Sequence, residues 1–117
     1  MHWTLTTLEV SNLEESLRFY CGALGMPLLE RFSNGHGAEI AMLGEQNAIH
    51  LELLCKGDTP AGAHGGFSIG FETENAADLA ARLDQNFTGP MSPNPALKFY
   101  FIRDPDGYRV QLIERIN

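Results

Sequence analysis

Two short runs, Ile49-His50-Leu51-Glu52-Leu53 and Arg109-Val110-Gln111-Leu112-Ile113, place apolar side chains at every second position, and that period constrains the fold more than any other feature of the chain. Successive side chains of a β-strand point to opposite faces, so each run has one face suited to a core and one that is not. Helices laid on the apolar face would bury Ile49, Leu51 and Leu53 in one strand and Val110 and Leu112 in the other. Phe67, Ile69 and Phe71 offer a third row of the same kind. The opposite face is then left to polar side chains.

The punctuation around these runs occurs twice. Residues 5–10 are β-prone and lead into Ser11-Asn12-Leu13-Glu14-Glu15, where Ser11 with Glu14, or Asn12 with Glu15, has the spacing of a capping box. Leu13, Leu17, Tyr20 and Leu24 recur on one helical face and Gly25 follows them, which predicts a helix over 13–24. Strands are expected at 27–33, 38–44 and 47–55, separated by Asn34-Gly35 and by Gly44-Glu45-Gln46-Asn47. After a Gly-, Pro- and Asp-rich loop over 56–65 the plan returns with a strand over 66–72. Thr73-Glu74-Asn75 then opens a helix carrying Ala76, Leu79, Ala80, Leu83 and Phe87 on one side. A Pro-containing segment over 89–95 stands for the weakest strand, followed by a strand at 97–103, the turn Asp104-Pro105-Asp106-Gly107 and a last strand at 108–115. Both halves read βαβββ, alike in element order and length rather than in residue identity.

A chain of 117 residues, 44% of them hydrophobic, has the size of one domain over 1–117, with modules at about 1–56 and 65–117. A formal charge of −7 with only 8 lysines and arginines argues against nucleic acid as a partner, since phosphate-backbone binders cluster basic residues. No basic leader precedes an apolar run, and no stretch approaches the ~20 apolar residues of a membrane span, so a cytoplasmic protein without membrane association is expected. Cys21 and Cys55 are too few for a disulfide framework and read as buried thiols, with a bridge between them left open.

The stretch Val10-Ser11-Asn12-Leu13-Glu14-Glu15-Ser16-Leu17-Arg18-Phe19-Tyr20 with Leu24-Gly25-Met26, and the stretch Asp104-Pro105-Asp106-Gly107-Tyr108-Arg109-Val110-Gln111-Leu112-Ile113-Glu114, resemble the signatures of the vicinal oxygen chelate superfamily. That group holds glyoxalases, bleomycin-resistance proteins and extradiol dioxygenases, and the resemblance runs over essentially the whole chain. It implies an α+β fold, two tandem βαβββ modules forming a cupped mixed or antiparallel sheet with helices on the outside. It also implies a ligand cavity on the concave face and a homodimer. The motifs themselves are architectural: Phe19 and Tyr20 supply apolar area under the helix, while Pro105 and Gly107 reverse the chain.

On the residues alone, the polar faces read first as solvated sheet surface. The resemblance turns them into the cavity wall, with Thr7, Glu9, His50, Ser68, Arg109 and Gln111 as candidate ligand-binding residues and Glu52 as a candidate general base. Metal-dependent members place ligands on the first, fourth, fifth and last strands, and those positions here read Leu5, Glu52, Gly66 and Gln111. Leu5 has no donor atom and Gly66 no side chain, so the resemblance implies a degenerate site. A rearranged divalent-metal site would draw on Glu52, Gln111 and His50, with His64 swinging in. His2 and His36 read as surface residues.

Two functions follow. One is a metal-free module that binds a drug or metabolite, as in the bleomycin-resistance branch. Its acidic balance would suit a cationic ligand, with Trp3, Tyr100 and the segment 90–95 available for stacking or as a lid. The other is a metal-dependent lyase, isomerase or dioxygenase. Lactoylglutathione lyase activity is disfavoured by Glu9, whose charge would repel the carboxylates of a glutathione adduct.

Overall fold

The computed structural model describes residues 1–57 and 67–116, and the chain divides into two compact units, Met1–Ala61 and Gly62–Asn117. The first unit begins with β1 (Leu5–Glu9), continues through α1 (Leu13–Leu17), and is completed by β2 (Leu28–Ser33), β3 (Glu39–Leu43) and β4 (His50–Cys55). Its sheet has four strands in the order β1-β4-β3-β2. The β1–β4 pair is parallel and the others antiparallel: the helix carries the chain from β1 across to β2, and two antiparallel returns bring β4 in beside β1.

The second unit repeats this arrangement with β5 (Ile69–Glu72), α2 (Ala76–Leu83), β6 (Thr88–Asn94), β7 (Leu97–Arg103) and β8 (Arg109–Arg115). Its order is β5-β8-β7-β6, again with the first and last strands, β5 and β8, paired in parallel. Two βαβββ modules on mixed sheets are what the sequence predicts.

Helix α1 packs on β4, and α2 lies across β7 and β8. The strand faces toward the helices form the cores: Leu51 and Leu53 with Ala41 and Leu43 in the first unit, Val110 and Leu112 with Ile102 in the second, all buried. Burying such side chains, at about 25 cal/mol per Å² of apolar surface, is the main term holding each helix to its sheet.

Local chemistry explains the helix ends. Of the two capping arrangements in the sequence, Asn12 is used: its Oδ1 accepts from the Glu15 backbone N–H at 3.0 Å. The helix does not stay α-helical to residue 24. From Arg18 to Ala23 it widens into a π-helical stretch, closed by Leu24 N–H donating to the Phe19 carbonyl at 3.0 Å. An i to i+5 bond of this kind takes in one extra residue per turn and shifts the register. Tyr20 is thereby fully buried with Phe19 edge-on to it at 4.9 Å. Gly25 then leaves the helix at φ +76°, as expected.

Other expectations need adjustment. The fourth strand starts at His50 rather than at 47, because residues 45–48 form a turn, and Ile49 is 46% exposed instead of joining the apolar face. The fifth starts at Ile69, leaving Phe67 and Ser68 ahead of it and exposed. The Pro-containing segment is a strand, though its pairing with β7 slips twice between Thr88 and Asn94. Gly89 sits in it at φ +116°, where a Cβ would stand 2.8 Å from the Phe99 carbonyl oxygen, so both backbone angle and space demand glycine.

Candidate functional site

In the first unit the face turned from the helix is organised by the parallel register of β1 and β4, which sets Leu5 beside His50, Thr7 beside Glu52 and Glu9 beside Leu54. Thr7 Oγ1 donates to Glu52 Oε1 at 2.7 Å. That bond orients the carboxylate, and Oε2 has no hydrogen bond or ion pair among the described residues. Met42 lies opposite Glu52 on the β3 side. The carboxylate of this half-buried residue, with Met42 opposite it and the 40% exposed Leu5 two residues before Thr7 on the neighbouring strand, can accept a hydrogen bond from a ligand whose apolar part covers its neighbours.

His50 is tied elsewhere. Its Nε2 lies 3.0 Å from the Glu45 carbonyl oxygen, and because a carbonyl only accepts, Nε2 carries the proton. His50 Nε2 thus makes a bond that pins the turn before β4. Glu9 pairs with Lys56 at 3.0 Å, so its charge is locally offset. This weakens the repulsion of anionic ligands expected from Glu9.

In the second unit Gln111 lies between Gly70 on β5 and Phe101 on β7, and Arg109 faces Arg103 across the β7–β8 pair. The side-chain amide of Gln111 makes no hydrogen bond among the described residues. Gly70 keeps it uncovered, since a Cβ there would come within 3.8 Å of Gln111 Oε1 and 3.2 Å of Ile113 Cδ1. The Arg109 guanidinium lies over the Phe101 ring, 4.8 Å from its centroid, and Phe101 meets Phe99 edge-on at 5.5 Å. This is a cation–π contact on an aromatic platform.

The structure thus brings Thr7 and Glu52 together in the first unit, with His50 two residues along the same strand but bonded to the preceding turn; in the second unit it sets Arg109 and Gln111 on one face of β8 and leaves Ser68 exposed ahead of β5. His64 and Gly66 lie outside the described residues. Among the described residues no three His, Cys, Asp or Glu side chains gather closely enough to hold a metal ion. Tyr100 is 5% exposed and packs on Phe87 at 5.9 Å, so it belongs to the core and is not free to stack on a ligand. Trp3 remains 69% exposed, its indole N–H donating to the Leu5 carbonyl at 2.9 Å. Both cysteines are free thiols, with Cys55 Sγ 3.7 Å from the Ser11 carbonyl oxygen.

Sequence reasoning missed Phe101 and Arg103, which join the Arg109 face through β7. The period-two signal that selected Arg109 and Gln111 applies equally to Phe99, Phe101 and Arg103. Only the cross-strand register shows which row of β7 shares their face.

A family model described as the Glyoxalase/Bleomycin resistance protein/Dioxygenase superfamily matches residues 2–112. The chain is 32% identical over 124 aligned residues to a lactoylglutathione lyase of Neisseria meningitidis serogroup A, covering 94% of this chain and 88% of that protein. It is 30% identical over 125 aligned residues to a lactoylglutathione lyase of Escherichia coli O157:H7, covering 93% and 89%. Among solved structures, a glyoxalase family protein from Bacillus cereus superposes with a TM-score of 0.81 at 17% identity, covering 100% of this chain and 95% of that one. An antibiotic binding protein from Streptomyces sp. CB03234 superposes with a TM-score of 0.69 at 23% identity, covering 99% and 97%.

Proposed function

The chain belongs to the Glyoxalase/Bleomycin resistance protein/Dioxygenase superfamily, and from that premise we propose that it binds a small organic molecule on the polar faces of its sheets without chelating a metal. The observation that supports this most is at Leu5. In register with His50 and two residues from the Thr7–Glu52 bond, the position expected to supply a metal's first ligand holds a hydrocarbon. Gly66 adds no side chain and Gln111 a neutral amide, so Glu52 is the single anionic donor of the four. One carboxylate and one amide oxygen do not fit a divalent cation in the family's manner. Each polar face by itself suits an organic ligand: Glu52 Oε2 in the first unit and the Gln111 amide in the second offer directional hydrogen bonds among apolar neighbours. The fold is compatible with such a role, since the Streptomyces neighbour is an antibiotic binding protein.

A second reading, metal-dependent lyase chemistry, is favoured by the relatives at 30–32% identity, which are lactoylglutathione lyases. In that reading Glu52 is the one residue at the family's ligand positions that would bind the metal as an anion. Thermal-shift measurements in EDTA and with added Ni, Zn, Mn or Fe separate the two readings, because a ligand that binds only the native state raises Tm. Metal-free binding predicts the same Tm in every metal, and equal stabilisation by any small-molecule hit with or without EDTA. A metal that raises Tm by several degrees and brings lactoylglutathione turnover, lost in Glu52→Gln, would establish the second reading. The proposal extends to a homodimer, for which sedimentation at twice the 12.9 kDa chain mass is the check.

A further inference from the structure

Five of the eight lysines and arginines are ion-paired: Arg31, Lys56, Arg82, Lys98 and Arg115. Of the other three, Arg18 lies on the first helix, whereas Arg103 and Arg109 stand directly opposite each other across β7 and β8. Like charges in register on neighbouring strands destabilise a sheet, and in a chain of charge −7 acidic partners are plentiful elsewhere. Neither guanidinium has a carboxylate partner among the described residues. Arg103 Nη1 donates to the Gly107 carbonyl at 3.1 Å and Arg109 rests on Phe101.

Both arginines line a concavity of about 290 Å³, with Phe101 and Met91 on its apolar side. The one acid there, Asp84, is committed to the backbone. Its Oδ1 accepts from Asn86 N–H at 2.8 Å and its Oδ2 from Arg103 N–H at 2.9 Å. The guanidiniums therefore keep most of their donors free in a volume the size of a small organic molecule.

We propose that this concavity is an anion-binding subsite, taking the carboxylate or phosphate of a small molecule whose planar body lies against Phe101 and Met91. An anion between the guanidiniums would offset their mutual repulsion and gain charge-assisted hydrogen bonds. This rests on the reading of the chain as a small-molecule binder and narrows the class of ligand. It also replaces the cationic ligand suggested by net charge, because a recognition site answers to the charges within a few ångströms rather than to the whole-chain sum.

The test is heteronuclear NMR titration of the full chain with benzoate, neutral benzamide and inorganic phosphate. Benzoate is expected to shift the amides of Phe101, Arg103 and Arg109 saturably, and benzamide to bind about tenfold more weakly or not at all, the scale of a charge-assisted bond. Arg109→Gln should weaken benzoate about tenfold while Arg18→Gln, which removes the same charge outside the concavity, leaves it unchanged. Phosphate binding at the same amides supports a site in which the anion suffices, and benzoate binding alone supports one that also needs the ring. Equal affinity for benzoate and benzamide, equal loss in both arginine variants, or no saturable shift overturns the proposal. The EDTA comparison does not involve these arginines, so metal-free binding and the anion subsite fail separately.

Discussion

Glu114 and Asp104 lie in the closing hairpin motif, and both are occupied in holding backbone. Glu114 Oε1 accepts the Ala76 N–H at 3.0 Å, so a strand carboxylate 38 residues away caps α2, whose own Asn75 makes no capping bond. An acid at a helix N-terminus also meets the favourable end of the helix dipole. Glu114→Ala should therefore lower stability by about 1–2 kcal/mol, read as a shift of the urea midpoint at unchanged slope; an unmoved midpoint would contradict the capping role. Asp104 is 5% exposed and its Oδ1 accepts from both Asp106 and Tyr108 N–H, at 2.9 and 2.8 Å, supplementing the turn that Pro105 and Gly107 begin. Burial pushes the Cys21 thiol above its ordinary pKa. Less thiolate is then present at neutral pH, and alkylation of Cys21 should lag behind that of an unstructured thiol, catching up only as pH climbs beyond the usual thiol range. Mass-spectrometric labelling at two pH values checks this, and equal rates at neutral pH would contradict it. None of these partnerships was legible in the sequence, because each joins groups whose proximity depends on the folded backbone. The side-chain rows were legible: Leu51, Leu53, Val110 and Leu112 are buried as the period-two pattern requires.

Among the elements, regular strands followed the pattern and irregular ones did not. The first helix reads as one continuous 3.6-residue stripe because Leu13, Leu17, Tyr20 and Leu24 fit that period well enough, and the π-helical stretch from Arg18 to Ala23 leaves no separate mark. Strand β6 carries prolines and a glycine, ordinarily breakers, and pairs with β7 only by slipping register. Gly89 makes that possible. Gly89→Ala should cost about 2 kcal/mol or more, combining a strained positive φ with a contact against the Phe99 carbonyl. A thermal melt within error of the parent would show that β6 relaxes freely. On the polar faces, alternation selected Thr7, Glu52, Arg109 and Gln111. It could not reveal that His50 is bound to Glu45 or that Arg103 faces Arg109, since both depend on turn geometry and register.

For the whole molecule, membership in the superfamily supplies the scaffold, while the residues on its polar faces set the chemistry. Glu52 is held by Thr7 on a strand face where Leu5 offers no donor atom, and the two arginines of the second unit without ion pairs among the described residues line one concavity with Phe101. On the proposed reading, such faces serve hydrogen bonding, stacking and ion pairing rather than Lewis-acid catalysis. The most direct test is the metal content of the full chain after incubation with Ni and Zn and removal of unbound ions, measured by elemental mass spectrometry. The account predicts well under one ion per chain, unchanged in Glu52→Gln. One tightly held ion per chain, lost when Glu52 is replaced, would contradict it.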